Sequence, residues 1–341
     1  MRKFQLFNTN NHFFKILISS AIGGGFLWLA LSQTNLHELK MLCAKLNWTW
    51  VIFSMLSYSM AVLFRIFRWY WLLRATAPLT FKAVGVALIV GYAMNNVLPA
   101  RLGELLRVDY CKRKHQVSRS HILGSIILER LLDGIIVVLL LGLGLYSLYE
   151  VNESYRIVFS LATFSACLFG VVLIAVFFLL HLKLDAFLNR WPFLTSRLYA
   201  IQESFKIIEN KRILLKVILI SLVVWIFEVF CLWLVLRTAG INASIMQMFL
   251  VVGLVSLSTL LPSPPGYLGT LQYAFSLILI AMGYTATQGV FAAGIVQTFL
   301  MGFMTISGVI LFLYTNPYHF GKKDRWFREQ NIEKNNEVLE S

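Results

Sequence analysis

The chain has 341 residues, 58% of them hydrophobic and only 13% charged, with a mean hydropathy of +0.73. Soluble domains carry about 25% charged residues, so a water-soluble globular protein is excluded and a polytopic helical membrane protein is expected. The net charge of +14 is scattered as Lys and Arg between apolar runs, which is the pattern of cytoplasmic loops and excludes nucleic acid as the expected partner.

Residues 1–15 are polar, with Arg2, Lys3 and Lys15, and an apolar run follows at about 14–32. Ala30-Leu31-Ser32 faintly resembles a signal cleavage site. The run is long and other spans follow, so an uncleaved first helix with a cytoplasmic N-terminus is expected. A second run covers about 48–72 and carries Arg65 and Arg68 near its end. Three residues apart, they share a helix face. They either snorkel to the headgroups or line a polar site.

An apolar stretch from about 83 is interrupted by Asn95-Asn96-Val97-Leu98-Pro99, and a short segment at 100–112 follows. Basic residues lie on both sides, with Arg74 and Lys82 before and Arg107, Lys112, Arg113, Lys114 and Arg119 after. A complete crossing would contradict one flank, so a re-entrant hairpin turning near Pro99 is expected. Non-helical backbone at that depth needs protein or a wet cavity around it. The span at about 121–149 carries Glu129, Arg130 and Asp133.

The next span, at about 157–181, returns to the cytoplasm. Residues 182–212 set Leu184, Phe187, Leu188, Trp191, Leu194, Leu198, Ile201, Phe205 and Ile208 at helical spacing among basic residues. They read as an interfacial connector broken at Pro192. A span at about 213–238 holds Glu228. A second interruption, Leu261-Pro262-Ser263-Pro264-Pro265-Gly266, splits an apolar stretch into 244–261 and 267–283. Its flanks near 239–247 and 283–288 carry no Lys or Arg, so this hairpin is expected to enter from the opposite face. A last span at about 289–314 leads to a polar cytoplasmic tail, 316–341.

The expected architecture is therefore all-α: about six full spans plus two opposed re-entrant helical hairpins, in a single membrane domain over 1–315. Residues 48–149 and 213–314 form the two arms of an inverted repeat. Interrupted segments at matching places in two halves point to a site near the midplane.

The candidate site follows from chemistry at these interruptions. Arg101, Glu104 and Arg107 follow one another at helical spacing after Pro99, which suits a helix first turn. Free N–H groups at a helix start and the fork of an arginine suit phosphate or carboxylate. The alternative is that Arg101 and Glu104 pair to hold the hairpin. Glu129, Arg130 and Asp133 are ionisable groups inside an apolar helix, costly and functional by default, or an internal salt bridge to Arg101 or Arg107. Glu228 is expected to sit protonated, to pair with an arginine of the other half, or to relay protons. Gly266 and Gly269 shape the second turn, where Gln272 offers an uncharged hydrogen-bonding group. Cys43, Cys111, Cys167 and Cys231 have the spacing of neither a metal site nor a disulfide framework and read as buried, inert thiols. No cofactor and no metal is expected.

Taken together, Asn96, Leu98-Pro99, Arg101, Gly103-Glu104 and Arg107, then Glu129-Arg130 and Asp133, then Leu261-Pro262, Gly266 and Gly269 resemble the flippase-like integral membrane family. That family includes the membrane region of lysylphosphatidylglycerol synthases, and the resemblance covers roughly 12–315. It implies a cell-membrane protein that handles lipids and moves a charged or prenyl-phosphate-linked lipid between leaflets. The chain departs from the family at Gln272, where a glutamate is usual. The tail after 315 is too short for an aminoacyl-transferring domain, so synthase activity is not implied. A translocator is expected to hold an anionic headgroup with Arg101, Arg107 and Arg130, in a cavity between the halves. A solid core with every charge paired would count against it. A second reading is a membrane enzyme acting on a lipid phosphate or glycolipid, with Glu104, Glu129 and Asp133 as acid–base groups. A third reading is an accessory subunit of a glycosyl- or aminoacyltransferase of envelope biosynthesis, docked at 182–212.

Overall fold

The computed structural model describes residues 9–74, 77, 79–98, 102–146, 203–260 and 263–315, with short helical pieces at 160, 163–164, 167–175 and 199. Most of the connector expected at 182–212, with Pro192, lies outside the described residues, as do the tail from 316 and Pro99, Arg101 and Pro262.

Every described element is helical. In chain order these are α1 (Thr9–Ser32), α2 (Leu36–Ala44), α3 (Trp48–Leu73), α4 (Phe81–Val97), α5 (Leu102–His115), α6 (Arg119–Tyr146), α7 (Lys211–Thr238), α8 (Ile245–Ser258), α9 (Thr270–Ala281), α10 (Ala286–Ile295) and α11 (Gly302–Thr315). A π-helical stretch, Val296–Met301, joins α10 to α11 as one continuous rod.

The starts of these helices are written in polar side chains. Asn35, Asn47, Thr80 and Asn210 each accept a hydrogen bond from a first-turn N–H, and Ser244 with Gln247 and Thr285 with Gln288 form capping boxes. Helix α2 is one the hydropathy reading did not anticipate. It is only nine residues long and buries none of them, and Asn35 starts it.

Among the described residues, three helices are long and apolar enough to cross a membrane: Trp48–Leu73, Lys211–Thr238 and Ala286–Thr315. Helix α6 has 28 residues, but Glu129, Arg130 and Asp133 interrupt its apolar length. Large apolar side chains face outward on α7 at Leu215, Ile218, Leu219, Leu222, Ile226 and Phe230. That stripe suits a lipid solvent, which takes outward apolar groups without penalty.

Two apolar cores organise the chain. One gathers α3, α4, α5 and the first part of α6 around Trp69, Leu88, Cys111 and Ile122. The other gathers α7 to α10 and the latter part of α6 around Leu236, Leu250, Phe275 and Ala292. They meet along α3 and α7, which run antiparallel: the Ser54 carbonyl meets the Cys231 thiol, the Ser57 hydroxyl donates to the Phe227 carbonyl (2.8 Å), and the Lys216 ammonium lies 4.4 Å from the Trp71 ring centre.

Two further antiparallel pairings follow. Helix α4 packs against α11, with Gly308 against Ala93. Helix α8 packs against α6, with Gly253 against Leu141 and Gly144 against Leu250. Within each half the two short helices, α4 with α5 and α8 with α9, contact each other. Gly103 lets α4 and α5 close up, because a Cβ there would lie 2.2 Å from the Gly91 carbonyl oxygen.

Candidate functional site

Helix α3 brings Arg65 and Arg68 inward, so the snorkelling reading is replaced by a buried one. Arg68 is fully buried. It donates to Asp133 Oδ1 (2.6 Å) and Oδ2 (3.0 Å), to Glu129 Oε1 (3.0 Å) and to the Ser221 hydroxyl (3.3 Å). One turn of α6 separates the two carboxylates, so the i,i+4 spacing presents both to one guanidinium. The fully buried Glu129 also accepts from Arg107 (3.0 Å) through Oε2. Asp133 accepts in addition from the Trp225 indole N–H (3.2 Å), which carries the network into the second half.

Arg107 is held as firmly. Its guanidinium lies 3.3 Å from the centre of the Trp69 ring, whose own N–H donates to Ser125. Stacking on an aromatic face favours a desolvated guanidinium. Arg107 is thereby withdrawn from the open space that the sequence reading assigned to it.

Arg130 is different. Its contacts to Glu104, Asp133 and Glu129 are longer, at 3.3, 3.5 and 3.6 Å, and a third of its side chain is exposed. Glu104 therefore pairs with Arg130. Arg65 pairs with Glu228 of α7, which settles how that lone acid is accommodated. Four arginines thus face four carboxylates, and the buried cluster among the described residues is electrically balanced. Balance is what makes it tolerable, since each unpaired buried ion would cost several kcal/mol.

A cavity of about 710 Å³ lies between the halves. Its wall is mostly apolar, from α6, α7, α8 and α9, with Tyr58, Tyr92, Asn95 and Asn96 as neutral polar groups. Arg65, Glu104, Arg130, Asp133 and Glu228 supply its charge; Arg68 and Arg107 lie behind that wall. The volume falls within the range of about 300–1,000 Å³ typical of small-molecule sites.

The second interruption contributes shape in place of charge. Gly266 and Gly269 adopt φ of 69° and 86°, and Tyr267 is also left-handed at 55°. Gln272 does not line the cavity. Its Oε1 accepts from the Gly269 N–H (2.8 Å), capping α9, and its Nε2 donates to Gln297 (2.7 Å). Gln297 sits in the π-helical stretch and donates to the Gly266 carbonyl (2.9 Å). From the first interruption, Asn96 donates to the Met301 carbonyl (3.3 Å), at the end of the same stretch, and to Thr305 of α11 (3.0 Å). Val296–Met301 is therefore tied to both chain breaks, and π-bulges recur at functional positions.

Sequence reasoning passed over Trp69, Tyr92, Ser221, Trp225 and Gln297. Gln297 left a usable signal, being a lone amide in an apolar span; the aromatic residues left none. Cys111 and Cys231 are buried as expected, whereas Cys43 and Cys167 are exposed.

These features define a multi-pass α-helical membrane protein with a balanced ionic cluster beside an internal cavity. The sequence matches the family described as the lysylphosphatidylglycerol synthase TM region over residues 16–308, and the chain belongs to that family. It is also 24% identical over 221 residues, 64% of this chain and 92% of the relative, to a UPF0104 membrane protein of Methanocaldococcus jannaschii. No solved structure matches it.

Proposed function

We propose that this protein is a lipid translocase of the cell (inner) membrane, which carries a phosphate-bearing or prenyl-phosphate-linked headgroup through the space between its two halves. The observation that carries the reading is Arg130. It is the most exposed and least tightly held arginine of the cluster, and it stands on the wall of the 710 Å³ cavity. A phosphate offers the same paired acceptors as the carboxylates Arg130 now touches, so a headgroup can take their place. Arg68 and Arg107 fix those carboxylates from behind, while the apolar walls accommodate chain methylenes. Arg101 keeps a place in this reading on sequence grounds.

The antiparallel pairing of α3 with α7, and the matched pairings of α4 with α11 and α8 with α6, support an inverted repeat. The two short-helix pairs would then be opposed re-entrant hairpins. Basic flanks support cytoplasmic termini, and anionic membrane lipids are the proposed partners.

The test reconstitutes the purified chain in liposomes holding fluorescent phospholipid or prenyl-phosphate probes, with quencher added outside. Protein-dependent loss of the protected fraction is expected, and Arg130→Lys, which keeps the charge balance but loses the paired donors, should slow it severely while keeping the folded yield. Transport by the variant at the rate of the parent would overturn the role of Arg130. Protection unchanged for every probe would overturn the translocase reading.

A further inference from the structure

A second, smaller cavity of about 200 Å³ lies where the first turn of α4, the last turn of α5 and the end of α11 come together. It shares no lining residue with the large cavity. Lys82, Lys114, Tyr110 and His115 surround it together with Thr80 and Thr315. Tyr110 is only 2% exposed, yet its hydroxyl has no hydrogen-bond partner. The His115 Nε2 atom is likewise buried and unpartnered. A buried hydroxyl left unsatisfied destabilises the fold. Two such groups on one small cavity are the mark of a place completed by something else.

The chemistry around the cavity states what would complete it. Lys82 and Lys114 supply cations. The start of α4 adds N–H groups with no intrahelical acceptor, of which Thr80 satisfies that of Ala83. The nearest carboxylate on α5, Asp109, is already engaged by Arg113 and Arg119. Burial and then the neighbouring Lys114 charge hold the pKa of His115 below its ordinary value. The ring is therefore largely neutral at neutral pH, with one N–H to give. Hydroxyl, imidazole, backbone N–H and two ammonium groups are all donors in this setting, and the described charge facing the cavity is positive throughout.

We infer that this pocket is a binding site for a phosphate group, held by Lys82 and Lys114 with Tyr110 and His115 donating from within. A soluble phosphate ester and the headgroup of an anionic lipid carry the same chemistry. The inference stands independently of the translocase reading, because neither the cavity nor the residues are shared.

The test follows the melting temperature of the full chain in detergent micelles. One arm titrates inorganic phosphate against sodium chloride at equal ionic strength. The other compares micelles containing phosphatidylglycerol with micelles containing phosphatidylcholine. Stabilisation that grows with ligand concentration is expected in one arm or both. A response confined to phosphatidylglycerol identifies a headgroup, and a response to inorganic phosphate identifies a free ion. Tyr110→Phe removes only the hydroxyl. Without ligand it should be as stable as the parent or more so, because an unsatisfied group is gone. Its apparent affinity should fall about tenfold, the size of one hydrogen bond to a charged group. Lys114→Gln, on an exposed side chain, should weaken the response without disturbing the fold. Equal ligand shifts in parent, Tyr110→Phe and Lys114→Gln would overturn the site, as would the absence of any shift in both arms.

Discussion

The two chain breaks do the same geometric job with opposite chemistry. The first, between α4 and α5, is surrounded by ions: Glu104, Arg107, Arg68, Glu129 and Arg130 converge beside it. The second, between α8 and α9, is surrounded by amides and glycines, with Gln272 and Gln297 bonding to each other and to backbone. Ion pairs in a low-dielectric interior are strong but costly to assemble, and they fail badly when one member is lost. Neutral hydrogen bonds are worth about 1 kcal/mol each and fail gently. The first break is therefore where charge is stored, and the second is where the backbone is shaped. The asymmetry also places the most exposed arginine of the cluster, Arg130, on the side of the stored charge.

The largest effect should come from breaking the ionic side at its centre. Arg68→Met takes from Asp133 its shortest contact and from Glu129 one of its two 3.0 Å contacts in a buried place, and should cost about 3–5 kcal/mol. A collapse in folded yield and melting temperature is expected. A variant that melts with the parent would show that the carboxylates find other partners. Next in size is Gly103→Ala. The added methyl would lie 2.2 Å from the Gly91 carbonyl oxygen and 2.6 Å from the Asn95 amide oxygen, so α4 and α5 must separate. Overpacking of this kind costs about 1–3 kcal/mol, and because it moves Asn96 and Glu104 it should lower the proposed transport by more than the stability loss alone.

Much of this was legible in the sequence. Apolar length gave α3, α7 and the α10–α11 rod, and Leu-Pro with amides and glycines gave the two breaks. The i,i+4 spacing of Glu129 and Asp133 correctly placed both on one face. Spacing cannot say what that face meets. Arg68 finds its partners 61 and 65 positions away, and nothing local distinguishes an arginine reaching a carboxylate from one reaching headgroups. Arg107 illustrates the same limit, because its withdrawal depends on Trp69 stacking from another helix. The π-helical stretch was equally hidden, and its ties to the two breaks run through Asn96 and Gln297 to partners distant in the sequence.

On the neutral side, removing an amide gives a smaller effect. Gln297→Leu removes the bonds to Gly266 and Gln272 and should cost about 1–3 kcal/mol, chiefly for the carbonyl left unsatisfied. A melting temperature equal to the parent's would show that the Gly266 carbonyl is satisfied by another donor.

The sharpest test of the neutral side belongs to Gln272→Glu. The new carboxylate keeps the bond from the Gly269 N–H and sits at the start of α9, where the helix dipole favours a negative charge by about 0.3–1 kcal/mol. Against this, it can no longer donate to Gln297. Two acceptors would face each other unless the Gln297 amide turns over, and turning it over gives up the Gly266 carbonyl. The lost hydrogen bond and the desolvation of a carboxylate at a buried position outweigh the dipole term, and the net cost is several kcal/mol. The double variant with Gln297→Leu separates the terms, because there the introduced carboxylate no longer faces an acceptor. The cost of Gln272→Glu should then shrink, giving a coupling of about 0.5–1 kcal/mol. Strictly additive melting shifts would mean that the second break is held by its glycines alone and that the amide pair contributes nothing to it.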